Sequence, residues 1–79
     1  IDAEEIKDIV LSFHEVKDVH EIRSRGRDDD VYIDLHIVID PTMSFLESHK
    51  LIDDIETKIR NSFHKNMEIY IRTEPFPHI

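Results

Sequence analysis

Val31-Tyr32-Ile33-Asp34-Leu35-His36-Ile37-Val38-Ile39 alternates without a break. Its odd positions are all aliphatic, and its even positions, Tyr32, Asp34, His36 and Val38, are mixed. Successive side chains on a strand point to opposite faces, so the pattern predicts a strand over 31–39 with one core face and one half-polar face. Before it stands Gly26-Arg27-Asp28-Asp29-Asp30, a turn in which glycine supplies a backbone angle other residues avoid. Earlier still, Val16, Val19 and Ile22 among charged neighbours predict a strand over 16–25. After it, Asp40-Pro41 ends the strand, because proline lacks the ladder's N–H and restrains the residue before it.

Further out, Ile6, Ile9, Val10 and Phe13 recur at i, i+3, i+4 and i+7, the stripe of a helix over 2–15. Asp2 is its N-cap, and Glu4 and Glu5 face the positive end of the helix dipole. A second helix over 44–63 opens with Ser44 and Glu47 at capping-box spacing. Its inward stripe is expected through Phe45, His49, Ile52, Ile55 or Glu56, Ile59 and Phe63, with Leu51 flanking. A last strand over 67–73 alternates Met67, Ile69, Ile71 and Thr73 against Glu68, Tyr70, Arg72 and Glu74. The order is αββαβ. One apolar stripe per helix and one apolar face per strand predict an α+β domain, two helices covering one face of a three-stranded sheet. The second crossover should be a right-handed β-α-β unit, which sets the last strand parallel to a neighbour. The uncovered face, with Tyr32, Val38 and Tyr70 among its residues, calls for a second subunit.

Seventy-nine residues make one domain, 1–79. Ten Lys and Arg against 18 Asp and Glu give a formal net charge of −8, which excludes nucleic acid and anionic membrane surfaces as partners. No apolar run approaches the ~20 residues of a membrane-spanning helix. No signal peptide opens the chain, so a soluble fragment is expected. The absence of cysteine removes disulfides and thiolate metal sites. No Ser-His-Asp order, phosphate-cradling glycine loop or HExxH is present, so no enzyme is expected.

Six histidines on this acidic background suit a divalent cation. His36 and Glu74 share the open face, His20 lies on the neighbouring strand, and His49 is two turns into the second helix. Imidazole and carboxylate together are ligands for Zn²⁺ and its first-row relatives. Asp18, Glu21 and Asp34 are acceptors that could orient the rings. The structural readings stand beside these. His49 on an apolar stripe is also a packed histidine, His14 and His64 suit helix ends, and His78 sits beside the C-terminus. Asp28 to Asp30 read as a solvated turn, with Arg23 and Arg25 pairing to nearby acids.

Four segments, taken in order, carry a resemblance. They are His20-Glu21-Ile22-Arg23-Ser24-Arg25-Gly26, Tyr32-Ile33-Asp34-Leu35-His36-Ile37, Ser48-His49 with Ile52-Asp53-Asp54-Ile55-Glu56, and Ile69-Tyr70-Ile71-Arg72-Thr73-Glu74-Pro75. Together they resemble the cytoplasmic C-terminal domain of the cation diffusion facilitator family of zinc and divalent-metal exporters. The resemblance implies a metallochaperone-like, ferredoxin-like αββαβ fold on the cytoplasmic side of the cell membrane. It implies a homodimer, continuous with a transmembrane transport domain, that binds zinc or another divalent metal near the dimer interface and closes on binding. The ligands it implies are His20, His36, His49 and Glu74. Arg72 departs from the pattern, since zinc exporters of the family often have histidine there, and a guanidinium does not ligate a metal. One metal per site is therefore the implied count. The competing expectation is a small ferredoxin-like dimeric module whose histidines bind no metal.

Overall fold

The computed structural model describes residues 2–27 and 30–75. Along the chain run α1 (Ala3–Leu11), β1 (Val16–Arg27), β2 (Asp30–Ile39), α2 (Phe45–Ser62) and β3 (Asn66–Pro75), in the expected order. The sheet order is β1-β2-β3, with β2 antiparallel to β1 and parallel to β3. Between β2 and β3 the register runs unbroken from Asp30 opposite Asn66 to Ile39 opposite Pro75. Between β1 and β2 it shifts twice, once between Val16 and Asp18 and once between His20 and Arg23.

Alternation along β2 holds from Val31 to Ile37. Ile33, Leu35 and Ile37 are wholly buried, while Tyr32, Asp34 and His36 between them are half-buried. Both helices lie over the aliphatic face: Ile6 and Val10 of α1 and Leu51, Ile55 and Ile59 of α2 join β2, Met67 and Ile69 in one core. Each fully buried Ile or Leu contributes about 1.5–3 kcal/mol by leaving water, so this face holds the fold together. Val38 departs from its half-polar row, being 2 % exposed.

Three further features differ from the periodicity. The first helix stops at Leu11, where Ser12 donates its backbone N–H to Asp8 and its hydroxyl to the Ile9 carbonyl. A turn closed by Val16 N–H to Phe13 carbonyl then starts β1. A hydroxyl competing for helix carbonyls is an end signal that apolar spacing misses. The hairpin ladder also reaches further than expected, so Gly26, Arg27 and Asp30 belong to strands, and Asp28 and Asp29 lie outside the described residues. Gly26 has φ +124°, and a Cβ there would collide with the Asp30 carbonyl oxygen, which is why glycine stands at this place. The third difference is the inward line of α2. Leu51, expected as a flank, is central with Ile55 and Ile59 at i, i+4 and i+8, Ile52 and Glu56 are half-buried, and Phe45 is 81 % exposed. The first turn of α2 covers no core, so apolar residues there are not drawn inward. Its capping box is made as expected: Glu47 N–H donates to Ser44 Oγ at 3.1 Å, and Ser44 N–H to Glu47 Oε1 at 2.9 Å. Hydrogen bonding from the Ser44 backbone N–H, and then from its hydroxyl, holds the Glu47 carboxyl below the usual glutamate range.

Candidate metal centre

The face of the sheet away from the helices carries the chemistry. Across β1, β2 and β3, His20 stands opposite His36, which stands opposite Arg72; Val38 stands opposite Glu74 one step along. Glu74 reaches back from that step and meets both rings. Its Oε1 lies 2.7 Å from His36 Nδ1 and its Oε2 lies 3.1 Å from His20 Nε2. An ionised carboxylate only accepts, so these bonds form in the tautomers that place the N–H on those two nitrogens. The ring centroids are 5.5 Å apart. His36 and Glu74 are each 22 % exposed and His20 is 33 % exposed, shielded from bulk water yet open to an ion.

Glu21 enters the same group, with Oε2 3.3 Å from His36 Nδ1. Ligand atoms of His20, Glu21 and His36 all lie within 4.8 Å of one another. Two imidazoles and two carboxylates of this kind suit a first-row divalent cation. Beside them is a cavity of about 230 Å³ lined by Glu21, Arg23, Asp34, His36 and Arg72. Asp34 Oδ1 is buried there without a hydrogen-bond partner among the described residues.

Of the four sequence-expected ligands, His20, His36 and Glu74 come together and His49 does not join them within one chain. The His49 ring, on the exposed start of α2, stacks on Phe45 with centroids 6.1 Å apart and has Nε2 3.8 Å from Asp53. Glu21, expected only to orient a ring, is at ligand distance, a placement that strict alternation hides. Asp18 accepts instead from the Val19 N–H at 2.8 Å, and Arg25 lies over the Tyr32 ring at 5.1 Å. His14, 94 % exposed, faces Glu15, and His78 lies outside the described residues.

No described helix is long and apolar enough to cross a membrane. Residues 1–76 match the family model for the cation efflux protein, cytoplasmic domain. Metal tolerance protein C1 of Arabidopsis thaliana is 29 % identical over 72 residues, covering 91 % of this chain and 15 % of that protein. Cation-efflux pump FieF of Pectobacterium atrosepticum is 26 % identical over 70 residues, 89 % of this chain and 23 % of that protein. The chain thus spans less than a quarter of either relative. Among solved structures, the metal-bound C-terminal domain of the CzcD transporter from Thermotoga maritima superposes with a TM-score of 0.86, at 21 % identity, covering 100 % of this chain and 99 % of that one. With the αββαβ fold and the family match over nearly its whole length, the chain belongs to the cytoplasmic-domain family of cation efflux proteins.

Proposed function

We propose that this chain is the metal-binding and dimerisation domain of a divalent-cation efflux transporter, zinc being one cation its donors suit, and that the bound ion regulates transport by favouring a closed pair of chains. The observation that carries the reading is one carboxylate, Glu74, bonded to two histidines that lie 54 and 38 residues away along the chain. A set gathered from three strands exists only in the folded domain, so ion-binding free energy becomes free energy of the folded, closed form. His20, His36 and Glu74 are the ligands from one chain. His49, exposed beside Phe45 and Leu46, completes the set across a pair of chains. The greater length of the relatives supports a transmembrane transport domain joined to this one.

Electrostatics give the coupling its direction. Two chains of formal charge −8 repel, and each divalent ion offsets two units where it binds. Ligating nitrogens must give up their protons, so protons compete with the ion and affinity falls as pH is lowered. The role is binding and regulation, with transport chemistry elsewhere in the longer protein.

Thermal melts and sedimentation with zinc, with chelator and with His36→Ala test this reading. At a hundredfold excess over Kd, zinc should stabilise the wild type by about 2.7 kcal/mol. It should also sharpen the dimer, and His36→Ala should lose both responses. Identical behaviour in zinc and in chelator would reject it.

A further inference from the structure

We infer that Glu21 is a fourth metal ligand supplied by the same chain, presented by a β-bulge whose strained backbone is retained for that purpose. The inference rests on the reading that the His20–His36–Glu74 cluster holds a cation. In a regular strand, His20 and Glu21 would point to opposite faces. Val19 is buried in the core and Ile22 packs against that core, so two residues between them share the open face where alternation allows one. The register shift between His20 and Arg23 absorbs the extra residue.

Glu21 has φ +54°, the left-handed region, and it is the only non-glycine residue there among those described. When a bulge needs such a residue, glycine usually provides it. A glutamate in its place accepts backbone strain in exchange for a side chain, and strain of that kind gathers at binding sites. The side chain it contributes reaches His36 Nδ1, the same nitrogen that faces Glu74. Glu21, at 53 % exposed, is the member closest to solvent, suited to receive an entering ion.

The consequence is a donor set of two imidazoles and two carboxylates, which brings a divalent ion to electrical neutrality. Imidazole favours zinc, iron and nickel, and carboxylate favours manganese and magnesium. The second carboxylate therefore widens the site from zinc toward Mn²⁺. Four donors within one chain also mean that an ion binds before two chains meet, and that His49 is not required for this first step.

Isothermal titration with Zn²⁺ and with Mn²⁺, on wild type, Glu21→Gln and Glu21→Gly, tests the inference, together with melts in chelator. Glu21→Gln should weaken Mn²⁺ binding by at least about tenfold and Zn²⁺ binding by less, leaving the fold intact. Glu21→Gly should weaken binding equally while raising the metal-free Tm, because glycine relieves the left-handed backbone. Wild type that binds while Glu21→Gln binds equally well would overturn the assignment and leave the cluster reading standing. A lower metal-free Tm for Glu21→Gly would overturn the claim of retained strain. Wild type that binds neither ion would sink the cluster reading itself, and this inference with it.

Discussion

Replacing Glu74 by alanine removes an acceptor shared by His20 and His36. In the metal-free protein two hydrogen bonds are lost, at 2.7 and 3.1 Å, from a side chain 22 % exposed. A typical protein hydrogen bond contributes about 0.5–1.5 kcal/mol net, so with partial exposure the loss should be about 1–2 kcal/mol. In a domain of this size each kcal/mol moves Tm by about 4–8 °C, which puts the metal-free variant roughly 5–15 °C below wild type. With zinc at a hundredfold excess over the wild-type Kd, the wild type gains a further ~2.7 kcal/mol that the variant cannot match. The stability gap should therefore widen to about 4 kcal/mol when metal replaces chelator. Differential scanning calorimetry at pH 7.5, with each protein in chelator and in zinc, reads both gaps directly. If the gap is the same in both conditions, Glu74 is only a structural acceptor for two rings, and ligation by this residue is refuted. The chelator arm guards against a variant that merely misfolds, since that variant would lie far more than about 2 kcal/mol below wild type before any metal is added.

Arg72 stands in register with His36, so its guanidinium opposes a cation bound beside that ring. Arg72→Gln should tighten zinc binding a few-fold at low salt, about 1 kcal/mol, and the gain should shrink at 0.5 M salt; titration at two salt concentrations checks both. Glu47 has its carboxyl held below the usual glutamate range by the Ser44 backbone and hydroxyl. A carboxyl depressed in the folded state adds stability above its unfolded pKa and loses it as pH falls through the folded one. Urea melts of wild type and Glu47→Gln should therefore separate at pH 7 and converge as pH falls below the ordinary glutamate range, and parallel curves would refute the sign.

Strand alternation carried most of the architecture. Val31 to Ile39 needed nothing beyond side-chain periodicity, because a strand with one buried face cannot slip its register without exposing five aliphatic side chains. His36 and Glu74 were likewise placed on the open face by counting in twos. His49 illustrates where counting fails. It lies at helical spacing from Phe45 and Ile52, yet the core is centred on Leu51, Ile55 and Ile59, about one residue away around the helix. Apolar spacing defines a stripe only to within such a step, and the first turn of α2 has nothing over it to decide between neighbouring lines. The fourth ligand expected from the sequence is consequently one that a single chain does not deliver to the cluster.

Glu21 was missed for a different reason, and that reason bears on how such sites are built. Two adjacent residues can bind one ion from a strand only if the strand breaks its own alternation. No glycine or proline in His20-Glu21-Ile22 marks the break. Its trace is the odd spacing of Val19 and Ile22, which resolves into a bulge only once both prove to lie on the core side, a property of the packed sheet. A metal group on a regular three-stranded face can draw on alternate residues alone. Inserting one residue in the edge strand adds a donor next to an existing one without disturbing the aliphatic face beneath. The bulge and the open edge of the sheet thus belong together: β1 has no partner beyond it among the described strands, so its ladder can yield where β2, hydrogen-bonded on both sides, cannot.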